Sequence, residues 1–186
     1  RTVVRLDTEE TGLKVNMTKT HITRRKAEVS WFRILQGQQD KEWRCRPHQD
    51  SVKKFKDRLK ELTCRKMPGT VTSKIEKINQ VTRGWINYYA LGSMKTAMIK
   101  IDAHLRTRIR VIIWKQWKVP KKRQWGLQKL GIGKDLARLT AYCGDRYYWV
   151  VTKTCVVRAI SKEVLARAGL VSCFDYYNER HALKLR

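Results

Sequence analysis

The stretch Thr70-Val71-Thr72-Ser73-Lys74-Ile75-Glu76-Lys77-Ile78-Asn79-Gln80-Val81-Thr82-Arg83-Gly84-Trp85-Ile86-Asn87-Tyr88-Tyr89-Ala90 reads as one helix. Val71, Ile75, Ile78, Thr82, Trp85 and Tyr89 recur at helical spacing and form one stripe, which must be buried against something. Ser73 and Glu76 stand at capping-box spacing, and Gly92 ends the segment. Gly84 falls inside it, where glycine costs about 1 kcal/mol against Ala. A close neighbour is therefore expected at Gly84, either a packed helix or a nucleic-acid backbone. Core packing is the preferred of the two, because Trp85 beside it lies on the inward stripe.

Helices are expected on both sides of this one. Upstream, Val52, Phe55, Leu59 and Leu62 share a face, Asp50 or Ser51 can cap, and Pro68-Gly69 stops the chain. Downstream, Met94, Met98, Ile101, Leu105, Ile109, Ile112 and Ile113 form the apolar arc of a helix from about Met94 to Lys118. That helix carries seven bases and one acid, Asp102, whereas solvated helices ordinarily mix signs.

The flanks read differently. Residues 2–6 and 13–17 have the β-branched or alternating character of short strands. Residues 28–35 and 42–45 flank a turn-like Gln36-Gly37-Gln38-Gln39-Asp40-Lys41, which predicts a hairpin that Pro47 ends. Val119-Pro120-Lys121-Lys122-Arg123-Gln124-Trp125-Gly126 reads as an exposed basic linker. Short helices are expected at 133–143, 145–152, 155–168 and 175–182. The expected fold is α+β, mainly α: an N-terminal β-hairpin region (1–48), a three-helix bundle (49–118), the linker (119–126) and a small helical C-terminal unit (127–186).

Lys and Arg number 42 among 186 residues against 16 Asp and Glu, a net charge of +26. Residues 51–125 hold 20 of the bases and only 4 of the acids. Such a density repels itself in a compact fold, so a polyanionic partner is expected. Basic residues interleaved with aromatic ones favour nucleic acid over an anionic membrane or an acidic protein. No apolar run reaches the roughly 18–20 residues of a membrane span, and Arg1 to Arg5 is not followed by the apolar stretch of a secretory signal. A chain that opens on Arg rather than Met reads as a fragment, a processed product or a piece cut from a longer protein.

Catalytic constellations are scarce. No P-loop or Gly-x-Gly-x-x-Gly is present, and His21, His48, His104 and His181 stand in no recognisable nucleophilic motif. Clustered carboxylates of the kind two-metal phosphoryl transfer needs are lacking. Asp7, Glu9 and Glu10 are the one tight acidic group and read as a solvated turn. Cys45, Cys64, Cys143, Cys155 and Cys173 are odd in number, widely spaced and in no Cys-x-x-Cys pair. They read as free thiols in a reducing compartment, with no metal site.

Four segments resemble one family. Residues 12–20, Gly-Leu-Lys-Val-Asn-Met-Thr-Lys-Thr, look like the late palm motif of the reverse transcriptases encoded by group II introns. Arg83-Gly84-Trp85-Ile86-Asn87-Tyr88-Tyr89 with Leu91-Gly92-Ser93-Met94, and the stretch Leu105 to Trp117, resemble the maturase-specific region of those proteins. Gly169 to Cys173 with Tyr176-Tyr177 and Glu179 to Leu183 is similar to the C-terminus of bacterial members without an endonuclease domain. The resemblance implies that 1–48 is a palm remnant, 49–118 the thumb and maturase-specific domain, and 127–186 a DNA-binding-like region. It also implies group II intron RNA as partner, target DNA as the alternative, and a separate N-terminal reverse transcriptase portion. It places the chain with nucleic acid in the bacterial cytoplasm. Two departures stand out. The Tyr-x-Asp-Asp polymerase motif is absent, so this chain is not expected to be an enzyme, and Mg²⁺ would enter only through bound RNA or a palm elsewhere. Trp31-Phe32-Arg33-Ile34 stands where the family has aromatic-Leu-Gly-Phe.

The expected function is an RNA-binding maturase fragment that assists splicing and mobility. The alternatives are a DNA-binding module for target-site recognition, or an accessory part of a reverse transcriptase. The candidate contacts are Lys53, Lys54, Lys56, Lys60, Arg65, Lys66, Arg83, Arg106, Arg110, Lys115, Lys121, Lys122 and Arg123 for phosphate. Tyr88 and Trp125 are the candidates for stacking.

Overall fold

The computed structural model describes residues 28–29, 32–36, 43–66, 68–144 and 146–184. The strands expected at 2–6 and 13–17, and the palm-like motif at 12–20, lie outside these residues. The chain enters through three antiparallel strands, β1 (Glu28–Val29), β2 (Phe32–Gln36) and β3 (Trp43–Pro47), ordered β1-β2-β3. The expected hairpin is there: Ile34 pairs with Cys45 and Gln36 with Trp43. β3 stops at Pro47, which has no N–H to extend a ladder.

Helix α1 (Gln49–Leu62) is capped two residues before Asp50 and three before Ser51, the caps expected from the sequence. His48 Nδ1 accepts from the Asp50 backbone N–H at 3.2 Å. Asp50 instead occupies the first turn, where the helix dipole favours an acid. Phe55, Leu59 and Leu62 are buried as expected. Helix α2 (Val71–Tyr89) corrects the capping-box reading as well. Thr70 is the N-cap and its hydroxyl accepts from Ser73 N–H, so Ser73 already sits inside the helix. The buried stripe holds Ile75, Ile78, Thr82 and Tyr89, plus Ile86, which the stripe read from the sequence lacks. The Trp85 ring lies flat on Phe55, with centroids 4.5 Å apart and an 8° interplanar angle, locking α1 to α2.

Helix α3 (Lys95–Gln116) buries Met98, Ile101, Leu105, Ile109 and Ile112 from the expected arc. It also buries Asp102, Arg110 and Trp114, because other helices pack its remaining sides. The linker expected at 119–126 is a helix instead: α4 runs Pro120–Lys129 with Pro120 in its first turn. A proline there loses no helical hydrogen bond and has the right φ, so it opens a helix as readily as it ends one. Gly126 explains the tight seat of α4. A Cβ on it would lie 2.7 Å from the Trp117 ring.

Five short helices complete the chain: α5 (Lys134–Ala141), α6 (Tyr147–Thr152), α7 (Thr154–Ala159), α8 (Lys162–Arg167) and α9 (Cys173–Lys184). Their buried residues, among them Ala137, Val150, Val156, Leu165 and Tyr177, belong to the same apolar cluster as Phe55, Ile78, Met98 and Trp114. Two polar anchors hold α9 in place. Tyr177 O–H donates to Gly92 O at 2.9 Å and accepts from Met94 N–H at 3.2 Å. Asp102 accepts from Cys173 N–H at 2.9 Å and from Ser172 Oγ at 3.3 Å, and also pairs with Arg106.

Candidate nucleic-acid interface

Alternation along β3 puts Arg44 and Arg46 on one face, next to the start of α3. There they line a cleft with Lys95, Lys100 and, from α1, Val52 and Lys56. Lys56 and Lys100 also line the next cleft, together with Lys60, His104 and Arg108. Arg108 continues into a third cleft with Arg65, Lys66 and Tyr148. The shared residues make one furrow, and Asp57 is the one acid among the described residues lining it.

Helix geometry builds this row. Lys56 and Lys60 are four apart on α1, and Lys100, His104 and Arg108 are four apart on α3, so each set stacks along one face. Like charges at that spacing cost a few tenths of a kcal/mol per pair, which an anion lying between them would offset. Arg108 holds the two helices together while lining the furrow: its Nη2 donates to Lys60 O at 3.0 Å, and its Nε donates to Thr63 Oγ1. Partial burial lowers the His104 pKa from its ordinary 6.5, and the charges of Arg108, Lys56 and Lys60 push the same way.

The furrow gathers four of the expected contacts, Lys56, Lys60, Arg65 and Lys66. Lys53 and Lys54 are exposed on α1 but do not line it. Arg83 and Tyr88 are exposed on α2. Lys115 is exposed, with Nζ donating to Arg65 O at 2.9 Å. Lys121, Lys122 and Trp125 are exposed on α4, where Lys129 Nζ lies 5.0 Å from the Trp125 ring centroid. Arg106 is mostly covered and bonded to Asp102.

Arg110 and Arg123 correct the expectation of exposed phosphate contacts. They are only 7% and 4% exposed. Arg110 Nε donates to Ile160 O at 2.9 Å. Arg123 Nε donates to Trp117 O at 3.1 Å, and its guanidinium lies 5.3 Å from the Trp114 ring. Both cations tie the C-terminal helices to α3, because that helix is enclosed on sides the sequence leaves to solvent.

Gly84 overturns the core-packing preference. It is exposed, and a Cβ added to it would meet nothing within 4 Å among the described residues. The furrow residues Arg44, Arg46, Lys95, Lys100, His104 and Arg108 were missing from the expected contacts. The 100/104/108 spacing was visible in the sequence, but its partner row on α1 was identifiable only once the helices were packed. Among the described residues no group of three His, Cys, Asp or Glu is placed to hold a metal. Cys173 is fully buried, its thiol pushed up to about 12 by that burial and then by Asp102. No described helix is long and apolar enough to cross a membrane.

A cation-rich helical domain, with one basic furrow and a single continuous core, is what the fold and this surface define. Residues 52–131 match the family described as group II intron, maturase-specific domain. That match supports the reading of this region as part of the C-terminal portion of a group II intron maturase, a family with a role in intron splicing. No curated protein matches the chain.

Proposed function

We propose that this chain grips structured group II intron RNA and stabilises its splicing-competent shape, while the RNA performs the transesterifications. The observation that carries the reading is the furrow: cations from β3, α1, α3 and the turn after α1 run continuously with one acid among them, inside or beside the matched domain. The protein's part is charge neutralisation and positioning. In this reading 1–48 closes a palm, 49–118 is the thumb and maturase body, and 127–186 is the C-terminal DNA-binding-like unit. Intron RNA is the first partner, and target DNA or a separately supplied palm would serve mobility.

Filter binding to structured intron RNA and to duplex DNA, across a salt series, tests this. Affinity for the RNA should be the higher, and its logarithm should fall linearly and steeply with log salt. A slope near zero sinks the electrostatic reading. A clear preference for duplex DNA assigns the chain to target-site recognition instead.

A further inference from the structure

The third cleft of the furrow is built differently from the other two. Where the chain leaves α1, three successive carbonyls of the turn are taken by cations from other helices. Thr63 O accepts from Arg108 Nη2 at 3.4 Å, Cys64 O from Lys74 Nζ at 3.3 Å and Arg65 O from Lys115 Nζ at 2.9 Å. The Thr63 hydroxyl also donates to Leu59 O at 2.6 Å. Turns are ordinarily the mobile part of a fold, but this one is drawn onto α2 and α3 at each residue. Arg108 is fixed along with it. Its Nε donates to Thr63 Oγ1 and its Nη2 to Lys60 O, which leaves Nη1 unused among the described residues.

Another wall comes from a distant part of the chain. Tyr147 opens α6, and two guanidiniums hold its ring: Arg65 lies 5.8 Å and Arg123 5.7 Å from the centroid. With Tyr147 held, the next residue, Tyr148, lines the cleft while staying 56% exposed. A lone exposed tyrosine is ordinary. This one stands at a cavity of about 300 Å³ whose other walls are the fixed turn, Arg108 and the Val111 side chain. That volume is at the small end of ligand pockets. It admits one flat ring and excludes a base-paired stem. Arg65 and Lys66 are exposed at its edge.

We infer that this cleft holds a single unpaired base of the bound RNA, turned out of a bulge or loop. The base stacks on the Tyr148 ring, an acceptor on its edge takes Arg108 Nη1, and its phosphate meets Arg65 and Lys66. Unpaired bases are what proteins read in RNA, by stacking on aromatic rings and by hydrogen bonds to the base edge. Arginine only donates, so the edge it meets must carry an oxygen or an unprotonated ring nitrogen. The inference rests on the RNA-binding reading of the chain and adds which feature of the RNA the furrow selects. Cations alone hold any phosphate chain alike, whereas an aromatic ring beside a fixed donor needs an accessible base.

The test measures binding of the full chain to an RNA duplex with a one-nucleotide bulge. The comparison probes are the same duplex with an abasic bulge, the unbulged duplex and the bulged duplex made of DNA. Wild type should prefer the bulged RNA to the unbulged by at least about fivefold, the low end for one stacked base. It should bind the abasic bulge like the unbulged duplex. Tyr148→Ala should bring the preference to about one, and Tyr148→Phe should keep it. Neither should change the salt slope, since no charge is removed. Tyr148→Leu, which keeps the bulk and loses the ring face, carries the test if Tyr148→Ala lowers Tm. A wild-type preference near one, or a preference that survives loss of the ring, overturns the pocket. So does an abasic bulge bound as tightly as the intact one, since flexibility alone would then be read. An equal preference for bulged DNA overturns the RNA assignment, and a preference abolished by micromolar free nucleoside monophosphate assigns the pocket to mononucleotides instead. No salt-dependent binding to any RNA probe sinks the RNA reading itself, whereas steep salt dependence without bulge preference removes the pocket alone.

Discussion

Asp102 is the residue on which the attachment of α9 turns. The residue is 3% exposed, and its carboxylate takes the Cys173 N–H, the Ser172 hydroxyl and the Arg106 guanidinium together. Asp102→Asn keeps an amide oxygen for the Cys173 N–H but leaves a largely covered guanidinium without its counter-charge and turns an amide N–H₂ toward Arg106 and the Ser172 hydroxyl. The expected loss is about 2–4 kcal/mol, somewhat below that for a fully buried pair because Arg106 reaches solvent. Urea unfolding measures it, and a loss below about 0.5 kcal/mol would mean the contact is incidental. His104 makes a different kind of prediction. Its folded pKa is held below the ordinary 6.5 by partial burial, then by Arg108, Lys56 and Lys60, with Lys100 also lining the cleft and Asp57 its one acid. The unfolded chain thus takes up the proton first. Stability is intact above the ordinary value and is lost as pH falls through it toward the lower folded value. Wild type should lose more Tm than His104→Gln between about pH 7.5 and about pH 5.5; equal losses would mean the cations do not act on this imidazole.

At the scale of elements, α4 carries the sharpest test. The helix exists because Pro120 suits its first turn, and it seats because Gly126 lets the Trp117 indole lie on its backbone. Gly126→Ala should therefore destabilise the protein by about 1–3 kcal/mol, the usual cost of overpacking, although propensity alone favours Ala. Gly84→Ala should do the reverse. Two glycines in helix interiors, with the same substitution, are expected to move thermal unfolding in opposite directions. If both variants become more stable, α4 is not pressed against Trp117 as the structure has it.

Among the described residues one apolar cluster runs through the helices, and the chain as a whole is rich in Lys and Arg. Its net charge of +26 attracts any polyanion, so charge alone does not distinguish the furrow from the rest of the surface. Position does. Replacing Lys56, Lys60 and Lys100 together by Ala should shallow the salt slope for intron RNA by up to about three, one for each phosphate that is no longer neutralised. Replacing Lys121 and Lys122, which are exposed on α4 and line none of these clefts, should change it less. Equal changes would mean that binding is diffuse rather than routed through the furrow. A triple change of Lys121, Lys122 and Arg123 is a poor probe, because Arg123 is buried against Trp114 and its removal costs stability as well.

Much of this protein was determined by the sequence alone. Apolar spacing gave α1, α2 and α3 their buried faces, since a 3.6-residue period follows from backbone geometry and needs no partner. The hairpin at 28–47, the polyanionic partner class and the resemblance carried by Arg83 to Tyr89 were likewise readable. Caps moved by two or three residues, because His48 and Thr70 compete with equally good neighbours and local geometry decides among them. Tertiary structure alone decided which cations are free. Arg110 and Arg123 look like surface charges in one dimension and become buried ties, because helices distant in sequence close over α3. It also decided that Lys56 and Lys60 face Lys100, His104 and Arg108, a pairing about forty to fifty residues apart that no periodicity encodes. Gly84 changed its meaning for the same reason: a helix period gives each residue an angle on its own axis, and only packing says which angles another helix covers.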